Sequence, residues 1–549
     1  MKQFILFIVL SLTFAGCRNN PQKDAENAVS TITIPGFARH LTVLSSDAYQ
    51  GRKPLTPGED SSVNYIKAQF EKMQLKPAFG KSYFQDVPLV NITTKPSDLT
   101  VHTNKGILTF KNVDNFVAFT EHITEKTGVD KADLVFAGYG IVAPEYNWND
   151  YSGIDVKGKV VVVLVNDPGF ATGDITLFKG KAMTYYGRWT YKYEEAARHG
   201  AAGCIIIHED AAAAYPWSVV VSSNSGSTMH LQAKNKHADT CGVEAWITRE
   251  TAQSLFAGCG LDYVSEKNKA CLRGFKATGM NATVSLSLTN TLKFGVSKNV
   301  GAMLPGTGRK DECVIYSAHW DHLGIGKPVN GDSIYNGAAD NASGVAAMLE
   351  IATAYSNLKV KPVRSVLFIA FTAEESGLLG AQYYVKNPPF PASKTVADIN
   401  FDVLSFWGKM RDVTLISSGE SVLDKLVAKV AKKQDRYVIQ DPYPQNGSFF
   451  RADNFWFARM GIPVIYGNGL FDQREKGKGF AHQKKMEYTT QHYHRPSDEY
   501  NPAIHDLSGA VEDAKLFFNV GYVLSNQSGF PKWYDHSPWK KVRDKSLHP

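Results

Sequence analysis

The chain has 549 residues, and 60 lysines and arginines against 53 acidic residues leave a formal net charge of +7. At roughly 100–200 residues per domain, that length implies about two to four domains. With 43% hydrophobic and 21% charged residues, the composition is that of a globular protein, which excludes wholesale disorder, collagen and coiled coil. A small excess of positive charge over so long a chain gives no support for nucleic acid as a partner. Six cysteines exclude a disulfide scaffold but allow one or two bridges.

The amino terminus reads MKQFILFIVLSLTFAGC. Lys2 precedes an apolar run, Phe4 to Phe14, of the length of a signal-peptide core and too short for a membrane span, which needs ~20 residues. Ala15 and Gly16 before Cys17 resemble a bacterial lipoprotein signal, with lipid added to Cys17. Phe14 is unusual three places before the cysteine, which leaves ordinary signal-peptidase cleavage open. Either route exports the chain. The expectation is a signal peptide over 1–16, a tether over 17–30, and a membrane anchor at Cys17 facing the periplasm or cell surface.

Residues 58–74 carry acidic groups first and then Val63, Ile66, Phe70 and Met73 at helical spacing, which predicts an amphipathic helix. From 98 to 290 the texture changes to short β-rich runs: ADLVFAGYGI, GKVVVVLVND, AAGCIIIHED and VEAWITRE. A helix, TYKYEEAARHGA, lies between the second and third. Cys204 and Cys313 sit in apolar runs and read as buried thiols. Cys259–Cys271 is the expected bridge in an exported chain. After about 291, apolar strands alternate with helices: CVIYSAH, SGVAAMLEIATAYSN, SVLFIAFTAEE, LLGAQYYVKN, ADINFDVLSF, GIPVIYGNG and AVEDAKLFFNVGYVLS. The alternation predicts an α/β domain with a mostly parallel mixed sheet and helices on both faces, split by the β-rich 98–290 insertion. The catalytic domain would then comprise 31–97 and 291–528, with a tail over 529–549.

Chemistry-bearing residues collect at the carboxyl ends of these strands, where open α/β sheets build sites. His319 and Asp321 follow one strand, Asp340 precedes a helix, Glu374 and Glu375 end another strand, and Asp402 ends a third. His494 lies in a long loop. Two imidazoles and three carboxylates suit a pair of divalent metals, zinc foremost, with cobalt or manganese as alternatives. One of the adjacent glutamates can bind metal while the other moves a proton. His322 and His492 lie nearby and are read as non-ligands.

The series SAHWD, GAADNASG, TAEESGLLG, NFDV and YHRPSDEY resembles the di-zinc aminopeptidases of clan MH, over roughly residues 36–526. The insertion resembles a protease-associated (PA) domain. The resemblance implies a zinc exopeptidase fold holding two Zn2+ per chain. His319 and Asp402 would bind one zinc, Glu375 and His494 the other, and Asp340 would bridge both. Glu374 would be the general base and acid, and Asp321 would orient His319. A cis peptide at Asp340–Asn341 is also implied. FRADNFWFARMGIPVI departs from the family's usual Arg-Ser-Asp-His, with Ala452 and Asn454 replacing serine and histidine. Arg451 and Asp453 in it are candidate substrate-binding residues. The basic segment 469–488 reads either as a pocket wall or as a solvated loop. The implied activity is aminopeptidase action on peptides. The alternatives are a metallocarboxypeptidase, for which Arg451 could anchor the substrate carboxylate, and a non-catalytic PA-containing binding protein.

Overall fold

The computed structural model describes residues 20–417 and 419–548. The expected signal peptide and the lipid-bearing Cys17 lie outside the described residues. Among those described, no helix is long and apolar enough to cross a membrane.

The half of the chain that carries the charged motifs is built on a mixed sheet. Its central strand is Arg309–His319, parallel to Arg364–Phe371 on one side and to Thr395–Phe401 on the other. Val464–Asn468 continues the parallel set beside Thr395–Phe401. Antiparallel strands flank it: Thr278–Leu304 pairs with Arg364–Phe371, and Asp412–Leu415 with Val464–Asn468. Both faces of the central strand are buried. Val314, Tyr316 and Ala318 point to one core, and Cys313 and Ile315 to another. This is why the strand reads as a continuous apolar run rather than an alternating one. Helices Ile34–Leu44, Ser343–Asn357 and Ser508–Asn526 cover the first face, while Leu379–Lys386 and Asn454–Arg459 cover the second.

Between residues 98 and 290 the chain forms its own layered unit. Gly203–Ile207 lies parallel between Val160–Leu164 and Val243–Ile247, and Phe116–Phe119 adds antiparallel to the last. Two apolar cores pack on its faces. The 27-residue strand Thr278–Leu304 ties the two halves together. Its first part pairs with Lys126–Phe136, residues 288–300 with Phe84–Pro96, and its last residues with Arg364–Phe371.

Three expectations need correction. Residues 21–29 of the expected tether form a helix, Pro21–Val29, with proline in its first turn and the Asn20 side chain capping Gln22 and Lys23 N–H groups. It buries Ala25 and Ala28 against the main core, and Asp24 accepts a bond from Val360 N–H. Cys259 and Cys271 are free thiols. Each ends a different helix; Cys259 joins an apolar core, whereas Cys271 lies 3.5 Å from the Tyr139 hydroxyl. The 529–549 tail is docked: Trp533 and Trp539 are buried, and Arg543 in helix Lys540–Leu547 donates to the carbonyls of Ala392 and Thr395.

Candidate metal centre

The strand order brings the dispersed motifs to one edge. His319 is the last residue of the central strand, Glu374 and Glu375 follow the strand on one side of it, and Asp402 follows the strand on the other. Asp340 reaches them from the tight turn Ala338–Ala342 ahead of helix Ser343–Asn357, and the Asp340–Asn341 peptide is cis. His494 arrives from the loop after the turn Tyr488–His492.

Asp340 is the hub. Its Oδ1 lies 3.3 Å from His319 Nε2, and its Oδ2 lies 3.2 Å from His494 Nε2. On the His319 side, Asp402 Oδ1 is 3.3 Å and Glu374 Oε2 3.8 Å from Nε2. On the His494 side, Glu375 Oε2 is 3.1 Å from Nε2. His322, read as a non-ligand, enters this second group: its Nδ1 is 2.6 Å from Glu375 Oε1. Ligand atoms of His319, Glu374 and Asp402 converge within 4.8 Å, as do those of His322, Asp340 and Glu375.

These residues fit metal ions. Four carboxylates meet in a buried space, and among the described residues none is paired with lysine or arginine. Four carboxylates this close repel one another, and bound cations would offset that repulsion. The Nε2 atoms of His494 and His322 are buried with no hydrogen-bond partner. For His494 this holds although two carboxylates stand close by, which is the geometry of co-ligands rather than of donor and acceptor.

The surrounding groups hold the cluster rigid. Asp321 Oδ1 accepts from Glu374 N–H at 3.0 Å and Oδ2 from Glu375 N–H at 3.4 Å. Its main-chain carbonyl takes His319 Nδ1 at 3.1 Å, closer than its carboxylate at 3.8 Å. Asp498 accepts from the N–H groups of Ala339 and Asp340, fixing the bridging turn. Arg52, which the sequence did not single out, is buried and donates to the carbonyls of Trp320, Leu44, Asn336 and Gly337. No motif marks such a role, because its partners are main-chain atoms of distant segments.

Burial would lower the His319 imidazole, but Glu374, Asp340 and Asp402 outweigh it and hold it well above its ordinary range. Burial likewise opposes the protonated form of His494, yet Glu375 and Asp340 raise it to about 10. Burial pushes the Glu374 carboxyl well up, with Asp402, Glu375 and Asp453 adding to it. Glu375 goes the other way, down to about 2, because His494 and His322 overcome its burial. The two adjacent glutamates thus sit in different surroundings, Glu374 among carboxylates and Glu375 against two imidazoles.

Arg451 is exposed, whereas Asp453 is 1% exposed and its carboxylate oxygens have no hydrogen-bond partner. Asp453, a candidate for substrate contact, has its carboxylate in the interior beside the cluster: burial pushes it well up, with His319, Asp321, Asp402 and Asp398 as its charged neighbours. His492 bonds Ser497 and stays outside the cluster. The basic segment folds partly into helix Gly477–Glu487, with Lys485 over the rings of Tyr443 and Phe471.

Residues 299–518 match the family model for peptidase family M28. An aminopeptidase of Pseudomonas aeruginosa is 37% identical over 358 residues, 64% of this chain and 54% of the relative. A probable lipoprotein aminopeptidase of Mycobacterium tuberculosis, LpqL, is 29% identical over 47% of this chain and 51% of its own. The chain spans about half the length of these curated relatives. Among solved structures, an aminopeptidase from Aneurinibacillus sp. strain AM-1 is similar at a TM-score of 0.47 and 17% identity, covering 92% of this chain and 97% of that one.

Proposed function

We propose that this chain, whose residues 299–518 match the model for peptidase family M28, is a member of that family and an exported zinc aminopeptidase that removes residues from the free amino termini of peptides. The observation that carries the reading is the division of Asp340, whose two oxygens face His319 at 3.3 Å and His494 at 3.2 Å. That arrangement supports two ions sharing one carboxylate. His319, Asp340 and Asp402 would hold one zinc, and Asp340, Glu375 and His494 the other, with His322 Nδ1 steadying Glu375. Bound zinc supplies Lewis acidity, polarising a carbonyl and lowering the pKa of water.

The chain's own residues do the rest. Glu374 takes a proton from the water that attacks the scissile carbonyl carbon. As the carbon–nitrogen bond breaks, it delivers that proton to the departing amine. Such general acid–base work is typically worth ~10²–10⁴ in rate. Asp321 fixes the backbone of Glu374 and the tautomer of His319 together. The 98–290 unit is read as a PA-like insertion that borders substrate access. The amino-terminal run and Cys17 support a lipid-anchored protein of the periplasm or cell surface, a reading in keeping with the name of the mycobacterial relative.

The test is mass spectrometry of peptides digested by the mature protein, each peptide supplied with free and with acetylated amino termini. Stepwise loss from free amino termini alone, abolished by chelator and restored by zinc, is the expected result. Loss from the carboxyl end of acetylated peptides would replace the aminopeptidase with a carboxypeptidase.

A further inference from the structure

The chain enters the fold at the edge of the sheet opposite the metal cluster. Helix Pro21–Val29 packs beside Ser343–Asn357 and Ser508–Asn526. Its first turn is bonded at two points. The Tyr522 hydroxyl donates to the Pro21 carbonyl at 3.1 Å, and Val360 N–H donates to Asp24 Oδ2 at 2.8 Å. Val360 lies in the loop between helix Ser343–Asn357 and strand Arg364–Phe371, and Tyr522 in the last turns of Ser508–Asn526. From there the chain runs back along the first of these helices: Thr33 N–H reaches Glu350 Oε2, near the middle of Ser343–Asn357, at 3.1 Å.

The same edge is tied into one rim. Thr307 N–H donates to the Pro362 carbonyl at 2.9 Å, Arg309 to the Gln527 carbonyl at 2.6 Å, and Arg364 to the carbonyls of Leu524 and Gly529, each at 2.7 Å. These groups sit at the amino ends of strands Arg309–His319 and Arg364–Phe371, whose carboxyl ends carry His319 and lead to Glu374. The eight residues of Arg364–Phe371, at ~3.3 Å each, put about 25 Å between rim and cluster. Lys23, Lys310 and Lys359 are exposed on this rim, with Glu26 and Asp311. Lysines so placed suit the phosphates of lipid headgroups.

A length fixes where an anchor can lie. Asn20 is held in place by capping the Gln22 and Lys23 N–H groups, and Cys17 is three residues before it. A chain spans at most ~3.6 Å per residue, so Cys17 stays within about 11 Å of Asn20. That is less than half the span from rim to cluster. A lipid on Cys17 therefore leaves too little slack for the metal cluster to reach the bilayer.

We propose that the lipid-bearing terminus holds this rim against the bilayer, so that the metal cluster faces away from the membrane and takes soluble peptides rather than chains embedded in it. The inference rests on the lipid-anchor and peptidase readings, to which it adds an orientation and a substrate class.

The experiment maps lysine acetylation by sulfosuccinimidyl acetate, read by mass spectrometry, on two forms. One is the full lipidated chain added to preformed phosphatidylcholine vesicles, and the other is the mature protein from Arg18 in solution. On vesicles, labelling of Lys23, Lys310 and Lys359 should slow severalfold, while Lys53 and Lys327 label equally in both forms. These two are exposed at the catalytic edge: Lys53 follows Arg52, whose carbonyl accepts from His322 N–H at 3.3 Å, and Lys327 lies in strand Gly324–Val329, just after His322. A Gly-Ser insert of about 20 residues after Arg18, spanning roughly 25 Å, should restore rim labelling. Soluble Leu-Ala-amide should be hydrolysed equally fast by both forms. Rim lysines labelled as fast on vesicles as in solution, slowed labelling of Lys53 and Lys327, a rim still shielded in the insert variant, or hydrolysis lost only on vesicles would overturn the inference. The mass of the amino-terminal peptide shows whether Cys17 carries lipid; an unmodified Cys17 defeats the anchor reading and the orientation with it. Labelling reports position, not turnover, so inactivity of both forms counts against the peptidase reading and leaves the orientation standing.

Discussion

At the scale of single residues, two substitutions separate holding metal from moving protons. Asp340→Ala removes the one group that faces both halves of the cluster. On the proposed two-zinc reading, bound zinc, measured by elemental analysis after gel filtration, should therefore fall towards none, because each ion would lose a ligand. Glu374→Gln keeps nearly the same shape but cannot accept a proton. Its zinc content should stay near wild type while kcat falls by about 10²–10⁴. Near-normal turnover in this variant would mean that Glu374 is not the base.

Asp398 behind the cluster gives a prediction in pH. Ser317 donates to its Oδ1 at 2.7 Å, its Oδ2 has no partner, and burial raises its pKa to about 8. Between pH ~4 and ~8 the folded chain therefore keeps a proton that the unfolded chain has released, since a free aspartate ionises near 3.9. The folded state binds more protons in that window, so stability falls as pH rises through it and levels off above. Asp398→Asn has no such proton to lose. Urea midpoints across pH 5–8 should slope less in this variant than in wild type, and parallel slopes would show that Asp398 is ionised in the fold.

The residues around His319, Asp340, Glu374, Glu375, Asp402 and His494 were legible because strand ends mark sites in α/β sheets. Arg52 was not: it works by donating to carbonyls as far as 285 residues away.

At the scale of elements, apolar strands flanked by helices announce themselves, and the expected helix SGVAAMLEIATAYSN has the bounds of Ser343–Asn357. The strand Phe84–Pro96 was missed because Pro88 and the polar Gln85, Asp86 and Asn91 break its apolar pattern. The helix Pro21–Val29 escaped because it buries two alanines and Asp24 rather than large apolar groups. The closing helix Ser508–Asn526 depends on a close approach. A Cβ built at Gly521 would lie 1.8 Å from the Tyr316 hydroxyl, which itself donates to the Phe517 carbonyl. Neither partner can move without breaking that bond or shifting the helix off the central strand. Gly521→Ala should cost about 1–3 kcal/mol by overpacking, read as a lower denaturant midpoint with an unchanged slope. A stability within 0.5 kcal/mol of wild type would show that the helix can slide.

At the scale of the whole molecule, the carboxyl-terminal segment joins the parts. Its composition, rich in lysine and proline, gave no reason to expect a packed structure, and only the tryptophans hinted otherwise. Trp533 donates from Nε1 to the Gly461 carbonyl at 2.8 Å. Trp539 is 7% exposed and touches both halves: its ring lies 6.2 Å from that of Tyr185 in the insertion and 6.1 Å from that of Phe455 in the catalytic half. Tyr185 in turn carries the Arg459 guanidinium over its face at 5.2 Å. Removing Trp539 therefore empties a site bounded by three segments of chain, which cannot collapse together without moving the seam between the insertion and the catalytic half. Trp539→Ala should cost about 3–5 kcal/mol, in the range of large-to-small changes in a core. The zinc content should be unaffected, because no ligand lies in this segment. The loosened seam should also speed proteolysis between Phe170 and Arg188, a stretch that is only partly buried. A variant as stable and as protease-resistant as wild type would mean that the strand Thr278–Leu304 and contacts such as Arg459–Glu194 hold the insertion without the tail.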